Sequence, residues 1–324
     1  MAVDPVPYVV HGAKHSADVF RQAHYDAMGG AHGISSVGAL HVKQTGTPSN
    51  QVQVAPGGAT ILNTYQGGSG QAYSFRNAST TLVDVPASDS TGAKSWWIIA
   101  CIEDPQFGGQ IPADPEAGPY AFIRCVAKDS TIDYPFELLA EIVVPASTAT
   151  ITNLMITSKR EVARPRSKPD LRTYALLAGD SANLTTTTPY PGGQTWPTAV
   201  ESAWGELDIP SYATAVRVVM TWAGVRTNGG TVSGHTWVQI GGNSNPDNVK
   251  TQAVRYDFEN SSEVSRGTLV AADIVRIPAE LRGTSQKFYP RGHRDAASDS
   301  GKFLRLDGGS AMVLQVEFLE RADQ

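Results

Sequence analysis

Apolar residues along this chain recur mostly at every second position or in short continuous runs, the two signatures of β-strands. Gln51-Val52-Gln53-Val54 alternates strictly, and 81–85 alternates polar with apolar. Segments 37–44, 60–62, 72–76, 120–127 and 136–144 also read as strands. Residues 96–102 are apolar throughout, which predicts a central strand buried on both faces. Turn residues at 46–49, 55–58 and 66–70 punctuate the series. One stretch follows the helical period instead. Val19, Phe20, Ala23 and Ala27 fall on one helical face, Ser16 supplies a cap, and Gly29-Gly30 supplies a stop. The first 165 residues therefore predict a β-barrel or sandwich carrying one helix packed on a sheet.

The pattern is interrupted at 159–172, KREVARPRSKPDLR, which holds six basic residues, two acids and two prolines. Pro165 and Pro169 disfavour a regular helix or a central strand, so the segment reads as an interdomain connector. Beyond it, 215–222, 236–240, 251–258, 269–277 and 311–318 are strand-like, separated by turns such as 227–230 and 241–243. The expected fold is mainly β: a domain over 1–165, then an antiparallel jelly-roll-like β-sandwich over 166–324. No fixed-period repeat is present, which argues against a solenoid or propeller.

Composition sharpens this picture. The 31 Gly and 20 Pro in 324 residues exceed average usage and fit many turns with few long helices. A net charge of -5, with acids outnumbering bases in both halves, excludes a general nucleic-acid binder. The start, with Asp4, Pro5 and Pro7, lacks the apolar core of a signal peptide. The apolar run at 96–102 is far shorter than the roughly 20 residues of a membrane span. Cys101 and Cys125 are too few for a disulfide framework; one bridge or two free thiols remain the alternatives.

Motifs of catalysis are missing. There is no G-x-S-x-G and no phosphate loop after Gly57-Gly58 or 67–70, so the glycines read as turn formers. Glu201 and Glu206 flank Trp204 but read as solvated loop acids. His11, His15, His24, His32 and His41 cluster early without a zinc-ligand pattern. Asn243, Asn245 and Asp247 alternate as calcium ligands do, but Pro246 and the residues that follow depart from the calcium-loop pattern. The expectation is a non-enzymatic protein without cofactor or metal, with a cell-wall hydrolase as the lesser alternative.

Contact chemistry is more promising. Tyr190, Trp196, Trp204 and Tyr212 lie in a Pro/Gly/Thr-rich stretch, where an aromatic face is free either to stack on sugar or to fill a packing interface. Trp222 and Trp237 sit inside strand patterns and read as core. The run 281–305 interleaves Arg282, Lys287, Arg291, His293, Arg294, Lys302 and Arg305 with Phe288 and Tyr289. It reads either as a patch for an anionic polymer or as a long hairpin loop ordered on a neighbouring subunit. Tyr190, Trp196, Trp204, Tyr212, Tyr289 and Arg291 are thus the candidate glycan or interface contacts.

Four stretches carry a resemblance: HGAKHSADVFRQAHYDAMGGAHGI (11–34), TPSNQVQVAPGGATILN (47–63), IEDPQFGGQIPADPEAGPY (102–120) and PASTATITNLMITSKREVARPRS (145–167). Together the first 165 residues resemble the N-terminal domain of minor tail proteins from siphophages of actinobacteria, while the second half resembles more loosely the β-sandwich domains that follow in them. The resemblance brings no catalytic residues. It implies a structural tail-tip or baseplate component located in the virion tail. Its implied partners are itself, as a homotrimer, and other tail proteins. The first domain would anchor, and the second would face outward, where host envelope polysaccharide is a further candidate partner. The further repeats of long fibre-forming members are missing here, which favours a compact component.

Overall fold

In the computed structural model, which describes residues 10–242, 249–259 and 264–322, the helix runs over Ala17–Met28. Ser16 caps it, its Oγ accepting the Val19 N–H at 3.3 Å, and Gly29 ends it in the left-handed conformation. The expected apolar face is only partly realised. Val19 is buried, but Phe20 is 53% exposed and Ala27 is exposed too, while Arg21 is buried. Polar bonds from Arg21, rather than an apolar stripe, hold the helix to the sheet beneath it.

The chain forms two compact units, one of residues 1–165 with 321–324, the other of 166–320. The first unit holds three antiparallel sheets. Gly57–Leu62 pairs with Gly33–Ile34 and Ala72–Asn77. Gln51–Val54 pairs with Val42–Gln44 and Thr81–Asp84. Lys94–Ile102 is hydrogen-bonded on both sides, to Ala121–Ala127 and to Phe136–Val144, whose far edge carries Ile156–Ser158. Its Ile98–Ile102 half is buried, whereas Trp96 and Trp97 are half-buried, so burial on both faces holds for part of the run. The core gathers Ile34, Leu40, Val52, Val54, Ile61, Ile98, Leu139 and Ile142.

Two expectations in this unit are corrected. The strand foreseen at 37–44 shrinks to Val42–Gln44, because Ala39 closes a turn onto Ser36 and Leu40 takes a positive φ. Gly57 and Gly58 open a strand instead of making a turn. Gly57 is there because a Cβ would lie 2.6 Å from Ala39 Cα. Both cysteines are free; in the register Cys101 faces Phe122 and Cys125 faces Ile98. Burial raises both thiols, Cys101 to about 11 and Cys125 to about 12, which keeps them protonated and unreactive.

The second unit is a β-sandwich. One sheet runs Ser167–Ala175, Ala311–Leu319, Ala215–Asn228, Leu304–Asp307, Ser181–Leu184, with Val264–Arg276 also on Ala215–Asn228. The other is built on Val232–Ile240 and Ser285–Arg294, flanked by Gln194–Thr195, Glu206–Asp208, Val249–Lys250 and Val254–Phe258. Their inner faces meet in one core that includes Val218, Met220, Trp222, Leu304, Leu314, Phe318, Val238, Ile240 and Phe288. The mainly β, antiparallel class expected from periodicity is the one observed.

The connector is corrected. Ser167–Ala175 is a regular strand despite Pro169. It lies at the edge of its sheet, where a residue without an N–H is tolerated. The basic residues are spent locally. Arg160 is buried and donates to the Val37 and Ala39 carbonyls at 2.9 and 2.8 Å. Arg166 forks onto Glu320 at 2.7 and 2.8 Å and holds that carboxyl below the usual range. The run 281–305 is likewise no long loop: Ser285–Arg294 and Leu304–Asp307 are strands.

Candidate functional site

Pleating sends alternate side chains of the second sheet away from the sandwich core. Phe288 points inward, so Tyr289, Arg291, His293 and Asp295 share the opposite side. On the neighbouring strand Val238 and Ile240 point inward, so Ser233, His235, Trp237 and Gln239 share it as well. The register places Trp237 opposite Arg291, His235 opposite His293, and Gln239 opposite Tyr289. One polar and aromatic face results, formed by residues far apart in sequence.

Trp237 is fully buried within its strand, as expected, on the side away from the cluster between the sheets. Tyr190 stands edge-on to it at 5.3 Å, and His293 lies at 5.9 Å. The chain at Gly192-Gly193 closes over the indole. Gly193 has φ +72°, and a Cβ there would run into the Trp237 ring and lie 2.7 Å from the Gly292 carbonyl. Gly193→Ala is therefore expected to lower stability by about 2–4 kcal/mol, combining left-handed strain with overpacking. Hydrogen–deuterium exchange resolved by peptide reads this as faster exchange in the second unit; unchanged exchange there would refute the tight closure.

The six sequence candidates separate into two groups. Trp196 is fully buried, donates Nε1–H to the Ala182 carbonyl at 3.0 Å and stacks on Trp222 at 6.4 Å. Trp204 is 6% exposed and donates to the Thr173 carbonyl at 3.1 Å. A glycan cannot reach either indole face, so both leave the contact set. Tyr212 is half-buried beneath the Arg166 guanidinium at 4.4 Å. Tyr190, 43% exposed, Tyr289, half-buried, and Arg291 belong to the outer face just described.

Arg291 serves the fold. It is 6% exposed, donating to Thr195 Oγ1 at 3.2 Å and to the Gly192 and Gly193 carbonyls at 2.9 and 3.2 Å. Burial lowers its pKa, since the cation has lost water. Arg282 and Arg294 also donate to backbone carbonyls, of Ile277 and Lys302, so their guanidinium groups are held in place by the fold while keeping their charge. Sequence reading overlooked His235, Trp237 and Asp295 as members of a face. The period-two order Tyr289-x-Arg291-x-His293-x-Asp295 was the available signal.

A second recess lies on the first unit, about 970 Å³, bordered by Phe20, Arg21, His24, Tyr73, Asp104, Gln106 and Tyr120. Arg21 organises it, donating to Gln71, Asp104, Asp18 and Gln106 at 2.6–3.0 Å and lying over the Tyr73 and Phe107 rings. Burial disfavours the Asp18 carboxylate, but hydrogen bonds from Gln71, Gln106 and Arg21 outweigh it and lower its pKa. Burial and the adjacent Asp104 raise the Tyr73 phenol, so it stays a donor, bonded to Asp104 Oδ2 at 2.9 Å.

The early histidines stay apart. His15 accepts the Val10 N–H, His24 meets Thr60 and His32 meets Glu137, while His11 and His41 are exposed. Among the described residues, none of the five joins a cluster of three possible metal ligands. Asn243, Asn245 and Asp247 lie outside the described residues. Among the described residues, no helix is long and apolar enough to cross a membrane.

No family model matches the chain, and no curated protein matches it significantly. Among solved structures it is similar to that of the infectious bursal disease virus Gx strain, at 12% identity over 91% of this chain and 75% of that one, with a TM-score of 0.27. It is also similar to the VP2 subviral particle of infectious bursal disease virus, at 11% identity over 91% and 77%, again with a TM-score of 0.27. Likeness at that level carries no argument about fold or role.

Proposed function

We propose that the chain is a non-enzymatic structural protein of a bacteriophage tail tip, a minor tail protein. In this reading it assembles as a homotrimer, anchors to other tail proteins through its first unit and presents the β-sandwich outward. The observation that carries the reading is the ordered resemblance of the four stretches within residues 11–167. Their placement supports it. The 11–34 stretch supplies the helix, 47–63 supplies Gln51–Val54 and Gly57–Leu62, and 102–120 supplies Asp104 and Gln106, which meet Arg21. The matched residues thus build one scaffold, as expected of an assembly domain. Cryo-EM of the purified virion, with the chain traced in tail density and its copies counted, is the test. A virion without this chain would overturn the proposal.

A host-glycan receptor role for the sandwich is the second reading, and Tyr190 favours it. Of the four loop aromatics it alone is exposed, and Trp237 buttresses it from behind. This reading is narrower than the one that began with four aromatics, because Trp196 and Trp204 are sealed in the core.

A further inference from the structure

Two imidazoles and a carboxylate converge on the outer face of the second sheet. His235 and His293 are directly opposed across two strands, their rings stacked 5.2 Å apart and tilted by 20°. Asp295 follows His293 by two residues, so pleating returns it to the same side. Its Oδ1 stands 3.4 Å from His293 Nε2 and 3.9 Å from His235 Nδ1, and the three ligand atoms all lie within 4.8 Å of one another.

Hydrogen bonding accounts for this cluster only in part: Asp295 Oδ1 meets His293 Nε2, and the two Nδ1 atoms are left over. His235 Nδ1 and His293 Nδ1 are both buried without a hydrogen-bond partner, and the His293 side chain is only 6% exposed. Orphaned ring nitrogens at such depth are rare in satisfied structures. The carboxylate is already turned. Ser233 Oγ–H donates to Oδ2 at 2.9 Å and the Asp295 N–H donates to the Ser233 carbonyl at 2.8 Å, leaving Oδ1 for the rings. Such outer contacts orient ligands in metal sites. Among the described residues the competing cation paired with Asp295 is Arg255, 3.9 Å from Oδ2; it is largely exposed and also pairs with Asp257 at 3.3 Å.

We propose that His235, His293 and Asp295 form a binding site for a divalent transition-metal ion of the zinc class. Metal–ligand bonds of about 2.0–2.2 Å in a tetrahedron require ligand atoms about 3.3 Å apart. The 3.4 Å separation meets this as it stands, and a small rotation of the His235 ring closes the 3.9 Å one. Two imidazoles favour zinc, cobalt, nickel or copper over magnesium and calcium, which prefer oxygen. His235 and Asp295 are part-exposed, so a fourth position opens to water or to a donor from outside. The ion would tie Val232–Ile240 to Ser285–Arg294 on the side away from the core.

The test uses the full-length chain without an affinity tag, stripped with a chelator and dialysed. Cobalt is titrated as a visible-absorption probe, and zinc by calorimetry. The expected result is uptake of one ion, a cobalt d–d band of low-symmetry coordination, and displacement of cobalt by zinc but not by magnesium. His235→Ala and Asp295→Asn should each weaken uptake by at least about 100-fold, a first-sphere ligand being worth more than the roughly 10–100-fold of outer contacts. Both side chains are part-exposed, so the metal-free thermal transition should stay in place and show that the variants fold. A His11→Ala/His15→Ala chain should bind as the parent does. No stoichiometric uptake, or uptake that survives in both His235→Ala and Asp295→Asn, would overturn the proposal.

Discussion

Arg21→Ala is expected to raise amide exchange in Ala17–Met28 and around Asp104 by about 100-fold while leaving the second unit unchanged. The reasoning starts from charge. Arg21 is nearly buried and satisfies two carboxylates, Asp18 at 2.6 Å and Asp104 at 3.0 Å, and two amides. Truncation leaves Asp104, with a side chain only 15% exposed, without its cation. Breaking such a pair costs about 3–5 kcal/mol, discounted here toward about 3 because Asp18 is more than a third exposed. At 1.4 kcal/mol per tenfold, that is about two decades of local opening. Arg21→Lys should recover only part, because an ammonium cannot reproduce the fork or lie flat over Tyr73 and Phe107. Hydrogen–deuterium exchange resolved by peptide measures each unit separately, which one global midpoint cannot do in a two-unit chain. Exchange as slow as in the parent would show that the helix is held by something other than this network.

The same network illustrates what sequence reveals. Ser16 and Gly29 are local signals, and they bound the helix correctly. Which helical face turns inward is a tertiary matter, settled by Asp104 and Gln71 arriving from distant segments to claim Arg21. Strands set by alternation were legible for a like reason: Gln51–Val54 and Thr81–Asp84 fall where their patterns place them. Pro169 misled because its tolerance depends on sheet position. A proline that ends a central strand is harmless on an edge, and Ser167–Ala175 is an edge.

The functional face was less legible because cross-strand register makes it. Opposition of His235 to His293, or of Trp237 to Arg291, depends on the pairing of two strands with three others, among the described residues, between them in the chain, which no spacing within one segment encodes. Histidine density carried no signal for the same reason: of the five early histidines, near in sequence, His15, His24 and His32 meet separate partners and His11 and His41 are exposed, while the two isolated late ones meet. For Trp196 and Trp204, composition left stacking on sugar and packing both open, and packing is what the structure shows. Segments rich in proline, glycine and threonine can lie across a sandwich and plug it with a large side chain. Backbone carbonyls of Ala182 and Thr173 then receive the indole N–H groups.

Trp196→Ala is accordingly expected to destabilise the second unit by about 3–5 kcal/mol, the range for a large aromatic removed from a core. The side chain is fully buried, stacks on Trp222 at 20° between planes, and its own carbonyl accepts the Trp222 Nε1–H at 3.3 Å. Truncation opens a cavity and removes the Trp196 Nε1–H bond to Ala182. Urea denaturation followed by near-ultraviolet circular dichroism should show the midpoint fall together with loss of the Trp196–Trp222 signal. Tyr190→Ala should cost less than about 1.5 kcal/mol, the worth of an exposed edge-to-face pair. The contrast decides how an adsorption experiment is read. Particles carrying Trp196→Ala would fail to adsorb through a damaged fold whether or not the sandwich touches glycan. Particles carrying Tyr190→Ala keep the fold, so their loss of adsorption would report surface contact, and normal adsorption would remove the chief support for the glycan reading. A Trp196→Ala chain as stable as the parent would instead show that the indole does not hold the core together.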